Sequence, residues 1–171
     1  HALIDVADGA TIKNIIINSV SLSGSDNAGA IVNTAKGETK IYNCGVLSGS
    51  VSGTNAGGLV GHIASDSRVR VVNCYNYADV SGDDYAAGIV GYNEGTVGNV
   101  RIAMCMMYGT VSGATIISPV YAGNHVSNAQ NFTEYNYYLY SIEKDATGQK
   151  VIRIPYTDYN DQLAIDNEEY L

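Results

Sequence analysis

The stretch Asn55-Ala56-Gly57-Gly58-Leu59-Val60-Gly61 decides the fold, because further copies of it recur at a nearly fixed spacing. The next copy along the chain is Tyr85-Ala86-Ala87-Gly88-Ile89-Val90-Gly91, and the preceding copy is Asn27-Ala28-Gly29-Ala30-Ile31-Val32-Asn33. A degenerate copy follows at positions 116–122 with nearly the same spacing. A fixed period of about 30 residues is typical of a repeat protein.

Each repeat contains three strand-like pieces separated by Gly, Ser, Asn or Asp. In the second unit these pieces cover residues 39–44, 50–53 and 56–61. The units show no helical periodicity, and two-residue hairpin signals such as Asn-Gly are missing between the pieces. The pattern therefore predicts an all-β chain folded as a right-handed parallel β-helix, a β-solenoid with about 30 residues and three short strands per turn.

The repeats divide the chain into two parts. Residues 1–140 form the predicted solenoid, with units at about 10–33, 34–62, 63–93 and 94–124 and a partial unit at 125–140. Residues 141–171 form a C-terminal cap or the start of a following domain, because the open end of a solenoid needs cover. In this cap we expect a hairpin between 138–142 and 150–154 that ends at Pro155. A short helix follows, from Thr157 or Asp158 to about Tyr170.

Cys44, Cys74 and Cys105 recur once in each predicted turn, and Ser19 and Tyr137 are expected at the same phase in the flanking units. Positions one turn apart lie above one another, so these thiols should form an inward column. Zinc sites usually begin with Cys pairs two to four residues apart, so packing is favoured over metal binding. The odd count agrees with free thiols. An amide ladder at a turn is expected from Asn18, Asn43, Asn73 and Asn136.

The glycines of the motif indicate a tight path for the backbone. At Gly57, Gly58 and Gly88 we expect either a corner with positive φ or a close approach to the next turn. One side chain of each following pair should then face the core and the other the solvent. These pairs are Leu59 with Val60 and Ile89 with Val90.

Composition excludes several classes of function. The net charge of −8, with nine basic residues, gives no footprint for nucleic acid or anionic lipid. The longest apolar run is far shorter than the ~18 residues of a membrane helix, so we expect no membrane insertion. The carboxylates are scattered, which disfavours cation binding, and the Gly-rich segments lack the Lys-Ser/Thr of a phosphate loop. We therefore expect no metal and no cofactor.

The second and third units resemble the GLUG-motif repeat of large bacterial surface and secreted proteins. The second unit carries Asn43-Cys44, Ser50-Val51-Ser52-Gly53 and Ala56-Gly57-Gly58-Leu59-Val60-Gly61. The third carries Asn73-Cys74-Tyr75, Val80-Ser81-Gly82 and Ala87-Gly88-Ile89-Val90-Gly91-Tyr92-Asn93. Asn136-Tyr137-Tyr138-Leu139 is similar to the Asn-Cys-Tyr-Tyr-Leu phrase that often closes such arrays. The resemblance covers roughly residues 10–140.

This resemblance implies an extracellular or bacterial cell-surface setting and a non-catalytic role as a stalk or adhesin. Its partners would be a host or bacterial surface protein or a glycan, and further domains of the same chain are expected. Because the sequence starts at His1 without a signal-peptide pattern, we expect a fragment from which targeting sequence is missing. The alternative is a carbohydrate-binding or carbohydrate-active β-helix of the polysaccharide lyase or hydrolase kind.

Few residues offer chemistry. The histidines His1, His62 and His125 lack metal or triad spacing, and His62 replaces Tyr92 of the next unit. Asp79, Asp83 and Asp84 are the only compact acidic group, and we expect Asp66, Asp83 and Asp84 in solvated corner loops.

The one run of residues with binding character is rich in tyrosine, because tyrosine rings stack on sugars and suit protein contacts. The same tyrosines could instead cover the last turn against the cap, which is the favoured interpretation. The candidates for ligand binding are Tyr135, Tyr137, Tyr138 and Tyr140.

Overall fold

A computed structural model of the chain describes residues 1–24, 26–95 and 100–122, together with three short strands further on. Within these residues the chain forms twenty-one strands and no helix. The strands belong to four sheets, and every pairing but one is parallel. The predicted all-β parallel solenoid is therefore confirmed, while the hand of the coil stays a prediction.

Each turn contributes strands to the four sheets in the same order. Sheet A contains β1 (Ile4–Asp8), β6 (Val32–Lys36), β10 (Val60–Ile63) and β14 (Val90–Asn93). Sheet B contains β2 (Thr11–Lys13), β7 (Lys40–Tyr42), β11 (Arg70–Val72), β15 (Arg101–Ala103) and β19 (Phe132–Glu134). Sheet C contains β3 (Ile16–Ile17), β8 (Gly45–Val46), β12 (Tyr75–Asn76), β16 (Met106–Met107), β20 (Tyr137–Leu139) and β21 (Pro155–Thr157). Sheet D contains β4 (Val20–Ser23), β9 (Gly49–Gly57), β13 (Asp79–Ala87) and β17 (Val111–Ser112), with β5 (Asn27–Gly29) and β18 (Ile116–Ser118) paired to it.

The sequence copies stack as their spacing predicts. Ala28 pairs with Ala56, and Ala56 pairs with Ala86, so the copies of the motif lie in register. Val71 pairs with Ile102 one turn later. Identical phases therefore form continuous columns along the solenoid, and side chains in the same column face the same way.

The number of strands per turn differs from the prediction, because each turn contains a further short strand, which in the second turn is β8, between the first and second predicted pieces. In the second turn the backbone bends between β7 and β8 at Asn43, whose φ is 54°. The equivalent residues of the other turns are Asn14, Asn73 and Met104, with φ of 60°, 55° and 52°. Asparagine tolerates this left-handed conformation better than most residues, so a repeated Asn marks a corner that separates sheet B from sheet C.

The phase predicted for the first and last turns was wrong by a few residues. Ile15, rather than Ser19, is the position equivalent to Cys44, because Ile16 pairs with Gly45. Tyr137 pairs with Met106, so it lies one position beyond the cysteine column.

The amide ladder at this corner is confirmed in the middle turns but begins at Asn14 rather than Asn18. The Nδ2 atom of Asn73 donates to Oδ1 of Asn43 at 2.8 Å. Asn43 in turn donates to Asn14 at 3.2 Å. Asn136 lies outside the described residues.

The core is a set of aliphatic columns inside the coil. One such column comprises Ile12, Ile41, Val71 and Ile102, which are 6% exposed or less. The pairs at the motif were predicted to have one side chain outside, and this was wrong, because Leu59, Val60, Ile89 and Val90 are all buried. The backbone turns between the two members of each pair, so both side chains reach the interior.

The motif glycines are explained by close approach rather than by positive φ. Gly57 and Gly58 have ordinary φ values, whereas the described glycines with positive φ lie elsewhere. A Cβ atom on Gly57 would overlap the carbonyl oxygen of Val60 and the backbone nitrogen of Gly91. A Cβ atom on Gly58 would overlap the side-chain amide of Asn76. The glycines therefore let two sheets meet with almost no side chain between them.

The three cysteines form the predicted buried column of free thiols. The thiol of Cys44 donates to the carbonyl oxygen of Tyr42 at 3.2 Å, and the backbone N–H of Cys44 donates to the sulfur of Cys74 at 3.4 Å. In the same way, the thiol of Cys74 donates to the carbonyl oxygen of Val72, and the thiol of Cys105 donates to that of Ala103. The column is thus a packing element with a satisfied hydrogen-bond pattern.

The hairpin predicted for the C-terminal end uses a different partner strand. β20 pairs antiparallel with β21, so the pairing partner is Pro155–Thr157 instead of residues 150–154. Proline fits here because it is the first residue of an edge strand, where no N–H is required. Thr157 lies in this strand, and residues 158–171, including the predicted helix, lie outside the described residues.

Candidate functional site

An apolar strip runs along the outside of sheet C and its two flanking corners. Its members are large hydrophobic side chains that share neighbouring outward columns, namely Ile16, Leu47, Tyr75, Tyr77, Met104, Met106 and Tyr108. Eight large hydrophobic side chains are exposed among the described residues, and five of them belong to this strip. Their exposure is therefore concentrated on one surface, which is typical of a contact site.

The rings of the apolar strip are held in fixed positions. Tyr77 and Tyr108 are stacked with centroids 4.8 Å apart and planes 7° apart. The ring of Tyr75 meets that of Tyr77 edge-on, with centroids 5.8 Å apart and an angle of 84° between the planes. Tyr75 also lies over Gly45, where a Cβ atom would overlap its ring. Rigid aromatic groups lose little conformational entropy on binding, so this surface is organised before any partner arrives.

The backbone register produces this stack. The N–H of Tyr77 donates to the carbonyl oxygen of Val46 at 2.9 Å, and the N–H of Tyr108 donates to Asn76 at 2.8 Å. These bonds hold successive turns at the strand spacing of about 4.8 Å, which is close to the separation of stacked rings.

The tyrosines predicted from sequence lie in the following turn. Tyr137 and Tyr138 lie in β20, where Tyr137 pairs with Met106 of the apolar strip and Tyr138 pairs with buried Met107. Tyr135 and Tyr140 lie outside the described residues, so these two candidates stay predictions. The backbone register thus aligns Tyr137 with a column of the strip and Tyr138 with a column of the core.

Sequence reasoning missed Tyr77 and Tyr108, although a signal was present. Both tyrosines follow a repeat cysteine by three residues, as does Leu47. Reading every position relative to the cysteine of its turn would have placed the three residues in one column. The prediction fell on the Tyr-rich run at 135–140 because its tyrosines are close together in sequence.

A second cluster surrounds His62 on the outside of sheet A. Nε2 of His62 lies 3.1 Å from Oε2 of Glu94, and the imidazole ring stacks on Tyr92 at 5.4 Å. Tyr92 also stacks on Tyr85 at 4.4 Å. His62 pairs with Tyr92 of the next turn, so the two residues are equivalent, as predicted. The coil also brings His62 next to Glu94, and the sequence spacing did not reveal this contact.

The electrostatics of this cluster keep Tyr92 protonated. Burial raises the pKa of the Tyr92 phenol, and the negative charge of Glu94 raises it further. The cluster therefore joins a phenol, a carboxylate and an imidazole across two turns.

The acidic residues singled out from sequence do not form a pair. Oδ1 of Asp79 accepts bonds from the backbone N–H and the hydroxyl of Thr110, at 2.8 and 2.7 Å, and so joins two turns. Asp83 and Asp84 were expected in a corner loop, but they lie within β13 at an irregularity, where the register shifts between Gly82 and Tyr85. A bulge redirects side chains outward, and both residues are exposed.

The thiols of Cys44 and Cys74 are poor nucleophiles in this setting. The side-chain hydrogen bond with Cys105, together with burial, raises the pKa of Cys74 to about 12. The hydrogen bond with Cys74 and burial raise the pKa of Cys44 as well. Only the thiolate reacts or binds metal readily. In the described part of the chain, no three His, Cys, Asp or Glu residues are placed to hold a metal ion.

Comparison with family models, curated proteins and solved structures found no match to this chain. Across the residues described, no helix has the length and apolar character needed to cross a membrane.

Proposed function

We propose that this chain is a non-catalytic repeat scaffold of a bacterial surface or secreted protein, which holds a partner on its apolar strip. The single observation that carries the proposal is the clustering of exposed, mutually packed side chains on that strip. Tyr77 and Tyr108 are 41% and 43% exposed although they are large and apolar. Tyrosines that pack on each other and still face solvent are typical of protein and glycan contacts.

The interior supports the scaffold part of this proposal. Its buried polar groups act on the coil itself, as Asn76 illustrates. The Nδ2 atom of Asn76 donates to the carbonyl oxygens of Ala78 at 3.0 Å and Gly88 at 3.1 Å, and Oδ1 accepts from the N–H of Ala78. Such a network stabilises one arrangement of the turns. A rigid rod with one apolar side suits a stalk or adhesin, and the GLUG resemblance favours an extracellular setting.

A binding array of surface proteins and glycans tests the proposal. The full chain should bind at least one of them, and Tyr77→Ser with Tyr108→Ser should reduce that affinity at least about tenfold, as expected for the loss of aromatic anchors. The control is Leu3→Ser with Val6→Ser, which removes two exposed apolar side chains away from the strip. Circular dichroism would check that both variants fold. Failure to bind any partner, or equal loss in the two variants, would contradict the proposal.

A further inference from the structure

We propose that the outward face of sheet B binds an acidic polysaccharide that carries carboxylates on its sugar units. The face is defined by a basic row, Lys40, Arg70 and Arg101, with Lys13 beside it. This surface borders the apolar strip at the corner that contains Met104, and the inference does not depend on the function proposed above.

The register of sheet B builds the basic row. Arg70 pairs with Lys40 on one side and with Arg101 on the other. Arg70 and Arg101 are exposed, and Lys40 is half-buried. Adjacent strands are about 4.8 Å apart, so three cations are aligned along the solenoid axis within about 10 Å. Thr11 pairs with Lys40 of the row. Lys13 lies two residues further along β2, where it pairs with Tyr42, so it is beside the row.

The row is a concentration of charge that folding alone does not explain. Like charges on neighbouring strands destabilise a sheet. The other basic residues of the described part have carboxylate partners, with Lys36 lying 3.5 Å from Asp8 and Arg68 lying 3.6 Å from Glu38. Lys40 and Arg70 have no ion-pair partner among the described residues. The strands β2, β7, β11 and β15 contain no acidic residue, and the acidic residue of sheet B is Glu134 of β19, which pairs with Ala103 and not with a residue of the row. The two side chains are therefore free to meet an external anion.

The chemistry of the face favours a sugar chain over other polyanions. Duplex nucleic acid carries one charge per ~1.7 Å and binds through many phosphate contacts. Only four of the nine basic residues lie on this face, and the net charge of −8 on the chain repels so dense a polyanion. An acidic polysaccharide carries at most one carboxylate per sugar, which suits sparse cations. Arginine binds carboxylates in a bidentate manner, and the Tyr42 ring supplies an apolar surface beside Lys13.

An acidic peptide fits the face less well. A ligand that follows the row runs across the strands, whose backbone groups are already bonded between turns. Peptides gain much of their affinity at sheets from backbone hydrogen bonds to a free edge. A polysaccharide needs only side-chain donors and ring contacts, and the exposed amides of Asn14, Asn43 and Asn73 line the adjacent corner.

The test measures binding of the full chain to polygalacturonate by calorimetry in low salt, with dextran, poly-glutamate and duplex DNA as comparison polymers. We compare Lys40→Gln/Arg70→Gln with Lys36→Gln/Arg68→Gln. Both variants lose two positive charges, but only the first touches the basic row. The first should lose at least about tenfold in affinity for polygalacturonate, because charge-assisted bonds are removed, and the second should lose less than about twofold. Added salt should weaken wild-type binding, because these charges are exposed.

Several results would overturn the inference. They are absence of binding to polygalacturonate, equal losses in the two variants, and tighter binding to poly-glutamate or DNA than to polygalacturonate. Equal losses would indicate a general effect of net charge. Because Tyr77→Ser/Tyr108→Ser leaves the basic row intact, that variant should retain polygalacturonate binding. The two proposals therefore fail separately.

Discussion

At the scale of single residues, the fit between Gly58 and the buried amide of Asn76 links two turns. The equivalent positions one turn earlier are Ala30 and Val46, where the motif residue carries a methyl group and the other side chain is shorter. The equivalent positions one turn later are Gly88 and Met107. A motif glycine thus accompanies a longer side chain at the second position, and a motif alanine accompanies a shorter one.

We expect Gly58→Ala to lower the free energy of unfolding by about 2 kcal/mol, because the new methyl overlaps both the Asn76 amide and the carbonyl oxygen of Gly88 to which that amide donates. Gly58→Ala with Asn76→Val recreates the pair found at the first turn. In urea denaturation, Asn76→Val should lower the free energy of unfolding less in the Gly58→Ala variant than in the wild type. Gly24→Ala serves as the control, since a Cβ there meets only ordinary contacts. Additive effects of the two changes would contradict this explanation.

The buried thiol of Cys74 makes stability depend on pH in the alkaline range. Its pKa is raised in the folded state, so the folded protein retains a proton that the unfolded chain loses above its ordinary pKa of 9.0. This stabilisation is complete below pH 9 and is lost as the pH rises towards about 12. The loss for one thiol reaches at most about 1.4 kcal/mol per pH unit. Urea midpoints measured from pH 7 to pH 10 should therefore fall more steeply for the wild type than for Cys74→Ala, and parallel curves would refute this.

At the scale of elements, the parallel pairing, the columns and a turn at Asn43 and Asn73 could be predicted from sequence, but the short strand that follows this turn could not. The spacing of like residues sets the register, and this spacing can be read directly from the amino-acid sequence. A corner depends on a backbone angle at one position, and Asn43 or Asn73 can equally occupy a strand end or a turn. Predicting that this turn separates two strands would have required an interpretation of the repeated Asn as a left-handed residue as well as a hydrogen-bonding one.

The candidate surfaces were less predictable than the fold for a related reason. The Tyr-rich run is local and easily noticed, whereas Tyr77 joins Tyr108, and Lys40 joins Arg70, only after a full turn of the coil. Their proximity arises from the strand pairing. The net charge gives no sign of the basic row, because acidic residues elsewhere outnumber the basic ones.

The corner at Met104 offers a stabilising substitution. Met104 has a φ of 52° and is 51% exposed, so it bears backbone strain while burying little surface. We expect Met104→Asn to stabilise the protein by about 1 kcal/mol, because asparagine accepts this conformation and continues the ladder from Asn73. The melting temperature should rise by a few degrees. Met104→Gly isolates the backbone contribution, and a melting temperature for Met104→Asn no higher than the wild-type value would refute the prediction.

At the scale of the whole molecule, each turn contacts chiefly its neighbours. The strands lie across the axis, and the hydrogen bonds that join the turns point along it. The revolutions differ slightly in length, since the step in sequence from Val32 to its partner Val60 is shorter than the step from Val71 to Ile102. Stability in such an array is approximately a sum of nearest-neighbour terms.

This direction of the interturn bonds has a mechanical consequence. Tension applied between the two ends loads those bonds one layer at a time, as in peeling, and does not shear a whole sheet at once. A layer that occupies about 4.8 Å of the folded rod would release roughly 100 Å of extended polypeptide. Pulling a single molecule with optical tweezers should therefore give a staircase of nearly equal extensions, and one abrupt rupture would exclude this behaviour. A tether built this way lengthens many-fold under load before it breaks.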